Sequence, residues 1–102
     1  MASDVKQAQL LTPAVNYAIV QLPGRALPGV VVQGDSFHSI YNQICEIDRR
    51  VKDSTDVELK DTVRELRALF RSVLVRYELV LKNNGITLPY VRTEKLTVAE
   101  GE

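Results

Sequence analysis

The sequence contains a single cysteine, Cys45, and a single histidine, His38, and this scarcity excludes several kinds of chemistry. One cysteine cannot form an intramolecular disulfide, which fits a reducing compartment. One histidine and one cysteine cannot complete a zinc site without several carboxylates, so we predict no metal and no cofactor. On a regular helix the two residues would lie two turns apart, about 10 Å, too far for a catalytic Cys–His pair.

The chain also lacks an excess of either charge, because its 102 residues carry 13 basic and 13 acidic side chains. Nucleic-acid-binding proteins usually have a basic excess, so a nucleic acid partner is not favoured. No apolar run approaches the roughly 18 residues that a membrane span needs, and no charged leader precedes a clean apolar stretch. We therefore expect a soluble, cytoplasmic protein with no membrane partner.

The strand-forming pattern lies mainly in the first third of the chain. Residues 15–22 are rich in β-forming side chains, and two Pro-Gly pairs separate them from a second candidate strand at residues 30–33. The short separation favours an antiparallel hairpin. Residues 86–91 can form a short C-terminal strand, which Pro89 would confine to a sheet edge or a bulge.

Two helices are predicted between these segments. After Asp35 or Ser36, apolar residues recur at steps of three and four, which predicts the first helix. Thr55 and Glu58 form a T-x-x-E capping box that predicts the start of a second helix. This helix would extend to Lys82, about 28 residues or about 42 Å, and an Asn-Asn-Gly sequence would cap it. Its predicted apolar stripe comprises Leu59, Val63, Leu66, Phe70, Val73, Tyr77 and Leu81.

These patterns predict an α+β fold in a single domain, residues 1–102. A small antiparallel β-sheet, made of the N-terminal hairpin and a C-terminal edge strand, would pack against two α-helices, the second of them long. We expect residues 1–12 and 93–102 to be mobile. The broad apolar stripe of the long second helix favours a homodimer.

The first candidate site is the corner at the start of the first helix. A helix N-terminus presents free N–H groups and a partial positive charge, so it could hold an anion, and a guanidinium from the preceding loop could assist. In the alternative interpretation Asp35 or Ser36 only caps the helix, and Arg25 pairs with Asp35. The candidate ligand-binding residues are Arg25, Gln33, Gly34, Asp35 and Ser36.

The second candidate site is a basic stripe on the second helix. Its members recur at steps of four, three and four: Lys60, Arg64, Arg67 and Arg71. The stripe could be a docking surface for an acidic protein, or for a nucleic-acid backbone with strongly salt-dependent affinity. The alternative is a solvated face on which these cations pair with helical neighbours such as Asp61.

His38 suggests a third hypothesis, an enzyme that acts through this residue. No pair of carboxylates is placed for acid–base work, so we predict no catalytic residue and no enzymatic activity. We expect His38 to be partly exposed and Cys45 to lie on the buried edge of the first helix. The aromatic residues expected in the core are Phe37, Tyr41, Phe70 and Tyr77.

The segment NYAIVQLPGRALPGVVVQGDSFHSI resembles a family of small, functionally uncharacterised bacterial proteins. In these proteins a segment similar to LPGR-x-x-PGVV-x-QGDS leads into a helix, and the resemblance covers about residues 14–45. It implies no catalytic residues, because the family has no established activity. It also implies that Arg25, Gln33, Gly34 and Asp35 act together.

Size and the absence of a catalytic constellation favour a non-enzymatic protein-binding module. An immunity-type protein that occludes a cognate toxin is one example of such a module. The alternative function is an anion- or nucleotide-binding domain that uses the corner formed by Arg25 and Gly34–Ser36.

Overall fold

The computed structural model describes residues 7–13 and 15–92. The chain divides between Ser36 and Phe37 into two compact units. The first unit contains three β-strands, and the second contains most of the two α-helices. The predicted α+β class is therefore confirmed, with an antiparallel sheet and a second helix longer than the first. Of the two segments predicted to be mobile, residues 1–6 and 93–102 lie outside the described residues, whereas Gln9–Leu10 form a strand of the sheet.

The sheet is antiparallel throughout and has the strand order β1-β2-β3. Its strands are β1 (Gln9–Leu10), β2 (Tyr17–Gln21) and β3 (Gly29–Val32). β2 and β3 form the predicted hairpin, in which Tyr17 lies opposite Val32. The predicted C-terminal strand is wrong, because residues 86–91 form no strand and β1 supplies the third strand, with Leu10 opposite Val20. A two-residue strand is too short to show an alternating pattern, so the sequence does not reveal β1.

The Pro23-Gly24 pair makes the tight turn that ends β2. Gly24 has φ +78°, which glycine adopts without steric cost, and Arg25 N–H donates to the Leu22 carbonyl at 3.3 Å. The side-chain amide of Gln21 also donates to the Arg25 carbonyl at 2.7 Å. The backbone around Arg25 is therefore held by bonds within its own loop.

The helices are α1 (Gly34–Arg50) and α2 (Val57–Asn83). The N-cap of α2 is Asp56, whose Oδ1 accepts a hydrogen bond from Leu59 N–H at 3.0 Å. The predicted cap at Thr55 is therefore wrong by one residue, because the Asp56 carboxylate reaches the free N–H. Among the described residues, no helix is both long and apolar enough to cross a membrane.

The C-terminal end of α2 closes as the Asn-Asn-Gly sequence predicts. Gly85 has φ +68°, and its N–H donates to the Lys82 carbonyl at 3.2 Å. Ile86 N–H donates to the Leu81 carbonyl at 2.9 Å. This pair of bonds is a Schellman motif, which satisfies carbonyls that the helix end leaves free.

The core of the second unit lies where α1 and α2 meet. Tyr41 of α1 and Leu74 of α2 are 0% and 1% exposed. Phe37 and Phe70 stack beside them, with ring centroids 4.4 Å apart and planes within 15°. The prediction that these aromatic residues belong to the core is confirmed.

The buried face of α2 includes only part of the predicted stripe: Val63 and Leu81 are buried, and Phe70 packs against the core. Leu59, Leu66 and Val73 of the predicted stripe are 41%, 42% and 44% exposed. Apolar residues occupy a broad arc of α2, so periodicity alone does not select the inward face, and packing against α1 selects it. The buried residues of α2 are Val63, Leu74, Val75, Glu78 and Leu81.

Candidate functional site

An open cleft of about 410 Å³ lies where the end of α1 faces the first half of α2. The α2 members are spaced at steps of four and three, so they share one face of the helix. The lining comprises Cys45, Asp48 and Arg49 of α1, Val51 and Lys52 of the connecting turn, and Lys60, Arg64 and Arg67 of α2. We call this site the basic cleft.

The basic cleft concentrates positive charge in a chain whose charges balance. Its lining carries five cationic side chains and one carboxylate, whereas the whole chain has 13 of each sign. Such a concentration on a concave surface raises the local positive potential and attracts anionic groups. The electrostatic character of the cleft therefore differs from that of the chain as a whole.

Arg67 is the anchored cation of the cleft. Its Nη1 donates to Asp48 Oδ2 at 2.9 Å, and the Asp48 side chain is only 20% exposed. Burial lowers the pKa of Arg67. Hydrogen bonds with Tyr41 and Asp48 and the nearby Cys45 raise the pKa by more than burial lowers it, so the net pKa lies above its ordinary value. Arg67 thus remains cationic and is fixed in place.

The other cations of the cleft are neutralised to different degrees, and Arg49 forms an ion pair with Glu46 of its own helix. Arg64 Nη1 lies 3.7 Å from Asp61 Oδ1, and both side chains are largely exposed, so this pair is weak. Within residues 7–13 and 15–92, no carboxylate forms an ion pair with Lys52 or Lys60. Lys60 is half-buried and Lys52 is exposed. These two ammonium groups supply the unbalanced charge.

The structure brings together three of the four predicted docking residues. Lys60, Arg64 and Arg67 line the cleft, whereas Arg71 is half-buried farther along α2 and is not part of the lining. Three other charged residues of the cleft lining were not predicted from the sequence: Asp48, Arg49 and Lys52. The basic residues in the last turn of α1 and in the turn after it were a usable signal, because a helical hairpin places them opposite the start of α2.

In the predicted anion corner, no hydrogen bond or ion pair among the described residues joins Arg25 to the start of α1. Arg25 is exposed and lines an open depression of about 370 Å³ formed by its own loop, to which Gln33, Gly34, Asp35 and Ser36 do not contribute. Among the described residues, Arg25 forms no ion pair with Asp35. The Asp35 carboxylate instead accepts a hydrogen bond from Ser36 N–H at 2.8 Å.

His38 is buried, and its predicted partial exposure is wrong. It is 6% exposed, and its ring stacks on that of Tyr90 with centroids 3.8 Å apart and planes within 8°. The segment after α2 carries Tyr90 onto His38, a contact between residues 52 positions apart that helical periodicity does not reveal. Cys45 is half-buried against the core, as predicted.

A buried carboxylate accompanies this aromatic stack. Glu78 is 6% exposed, and its Oε2 accepts a hydrogen bond from the Tyr90 hydroxyl at 2.7 Å. Arg92 Nε lies 3.0 Å from Oε1, an ion pair without hydrogen-bond geometry. Burial raises the pKa of Tyr90 above its ordinary value, and Glu78 raises it further. Within the described part of the chain, no three His, Cys, Asp or Glu residues are grouped as metal ligands.

Comparison with known proteins identifies a family but no characterised relative. No curated protein and no solved structure matches the chain. A family model described as a family of unknown function, DUF6959, matches residues 3–90, a range that includes the sheet, both helices and Tyr90. The sequence resemblance to a functionally uncharacterised family agrees with this match. Because the match extends over more than half of the sequence, the chain belongs to the family of unknown function DUF6959.

Proposed function

We propose that the chain is a non-enzymatic protein-binding module that binds an acidic partner through the basic cleft. The observation that carries the proposal is the local charge imbalance, five cations against one carboxylate in an open concave surface. An immunity-type protein, which covers the active surface of a toxin, is one form of this function. A toxin encoded beside this chain would support that form.

The chemistry of the lining favours a protein over a nucleic acid. The eight lining residues include no aromatic side chain on which a base could stack. The chain has no net positive charge to attract a polyanion at long range. Ammonium and guanidinium groups at the cleft can instead meet individual carboxylates, which sets specificity and association rate. The partner surface should therefore present a cluster of Asp or Glu side chains.

Charge reversal in the cleft is the direct test of this proposal. The full chain would be used as bait in a lysate of its source organism, and the recovered partner would be purified and titrated by calorimetry. We expect the double variant Lys60→Glu, Arg64→Glu to weaken binding at least about tenfold, because like charges would then face each other. We also expect the wild-type affinity to fall as salt is added.

A matched control distinguishes a loss of binding caused by the cleft residues from a loss caused by the change in net charge. Arg25→Glu, Lys82→Glu makes the same change in net charge at two exposed residues outside the cleft and should bind as wild type does. Equal loss in both double variants would contradict the proposal, as would recovery of no stoichiometric partner. Retention of nucleic acid rather than protein by the bait would contradict it as well.

The second candidate function is an anion- or nucleotide-binding domain at Arg25 and Gly34–Ser36. Its support is the exposed Arg25 guanidinium, which has no ion pair with a described carboxylate. We expect phosphate compounds to raise the melting temperature of the wild type and of Lys82→Ala, but not of Arg25→Ala. The absence of any shift across a nucleotide panel would remove this candidate.

A further inference from the structure

A second apolar stripe lies on the solvent side of α2. Its apolar members are between 41% and 59% exposed: Leu59, Leu66, Leu69, Val73 and Val80. Thr62 and Arg76 are also exposed. With them, the positions from Leu59 to Val80 are spaced alternately by three and four residues without a gap. We call these seven positions the outer seam. It is about 32 Å long at 1.5 Å per residue.

The spacing of the outer seam is that of a helix-packing surface. Apolar residues that alternate steps of three and four keep a narrow stripe facing one partner helix, the arrangement found in coiled coils. Scattered exposed apolar residues are ordinary, but a contiguous exposed apolar stripe on a soluble domain usually marks an interaction site. The seam extends over three heptads, whereas the core against α1 uses a different face of α2.

Two charges on α2 specify the occupant and its orientation. Glu65, beside the seam, and Arg76, within it, are exposed and form no ion pair among the described residues. In a two-fold antiparallel pair of α2 helices whose axis passes between Phe70 and Arg71, each Glu65 lies opposite the Arg76 of the other copy. In a parallel pair Arg76, which lies within the seam, would instead meet its own copy, which is repulsive.

The same axis gives almost complete overlap of the two helices. α2 extends from Val57 to Asn83, so its middle residue is Phe70. The alignment that pairs Glu65 with Arg76 therefore differs from full overlap by one residue. Charge matching and almost complete overlap of the two helices thus favour the same arrangement, and a second copy of α2 meets both conditions.

We propose that a second copy of this chain covers the outer seam, with the two α2 helices antiparallel. The seam and the basic cleft have no residue in common, so this inference does not depend on the proposed function. The dimer would present two basic clefts related by the two-fold axis.

Light scattering on the full chain at increasing concentration tests the proposal. We expect a mass of twice 11.4 kDa for the wild type and of 11.4 kDa for Leu69→Lys. Leu69 is 59% exposed, so the variant should keep the circular dichroism spectrum of the folded chain. Leu27→Lys, at a loop leucine that is 79% exposed, is the matched control and should remain dimeric.

Charge exchange tests the orientation. Glu65→Arg alone and Arg76→Glu alone should each weaken the dimer about tenfold, since two symmetry-related pairs become repulsive. The double variant Glu65→Arg, Arg76→Glu should restore wild-type affinity. A wild type that is monomeric at every concentration would overturn the proposal, as would a dimer that Leu69→Lys leaves intact. A monomeric wild type that binds a different protein, with that binding lost in Leu69→Lys, would also overturn it and would assign the seam to that partner.

Discussion

Replacement of Leu74 with alanine is expected to lower the free energy of unfolding by about 2–5 kcal/mol, the range for removal of a fully buried leucine side chain. Leu74 is 1% exposed and packs in one cluster with Tyr41 and Val75. The stacked rings of Phe37 and Phe70 lie against the same cluster and limit how far the site can collapse. The removed methyl groups would therefore leave a cavity whose lining loses its van der Waals contacts.

Urea unfolding monitored by circular dichroism would measure this loss as a lower midpoint with an unchanged slope. Leu27→Ala is the matched control, because Leu27 is 79% exposed and lies outside the outer seam. The control should stay within about 0.5 kcal/mol of the wild type. A loss below about 1 kcal/mol for Leu74→Ala would show that Leu74 does not hold the two helices together.

The second large effect is expected for Tyr90→Phe, with a loss of about 1–3 kcal/mol in unfolding free energy at neutral pH. The substitution keeps the ring that stacks on His38 but removes the hydroxyl that donates to Glu78 Oε2 at 2.7 Å. Glu78 is 6% exposed, so its carboxylate could not recover that hydrogen bond fully from water. The loss therefore arises mainly from a buried acceptor that lacks a donor.

Tyr17→Phe is the control for this substitution, since Tyr17 is 56% exposed on β2. The same denaturation assay should place the control within about 0.5 kcal/mol of the wild type. Equal stability of the two variants would mean that the Tyr90–Glu78 hydrogen bond contributes nothing. A large loss in the Tyr90 variant alone would identify the C-terminal segment as part of the folded core.

The pH dependence of this contact has a defined sign. The pKa of Tyr90 is raised in the folded chain by burial and by Glu78, so the folded state holds the phenolic proton more tightly than the unfolded state does. The contribution of Tyr90 is fully present below its unfolded pKa of about 10 and is lost as the pH rises above that value. The stability difference between the wild type and Tyr90→Phe should therefore shrink at alkaline pH. A difference that stays constant from neutral pH to well above pH 10 would contradict this account.

Only part of the basic cleft could be predicted from the sequence. Lys60, Arg64 and Arg67 could be selected by spacing, because positions on one helix face repeat at fixed steps. Asp48 lies 19 residues before Arg67, and its hydrogen bond to that residue depends on how α1 packs against α2. Periodicity describes one helix at a time, so it cannot pair residues of two helices.

The stack of His38 on Tyr90 could not be predicted from the sequence. Glu78 looks like a surface residue on any polarity scale, and it is buried because Tyr90 and Arg92 return to it from the segment after α2. His38 is covered by the same segment. Burial of a polar group is favoured only when partners satisfy it, and those partners are distant in sequence.

By itself the sequence determined the local structure of this protein: the α+β class, the β2–β3 hairpin and its Pro-Gly turn, and the long α2 with its glycine cap. These features depend on backbone preferences and on periodicity within a few residues. Only the tertiary structure decided which arc of α2 is buried, which cations share a cleft, and that the outer seam is left exposed. Those outcomes depend on contacts between segments that lie far apart in the chain, where packing and hydrogen-bond satisfaction outweigh local preference.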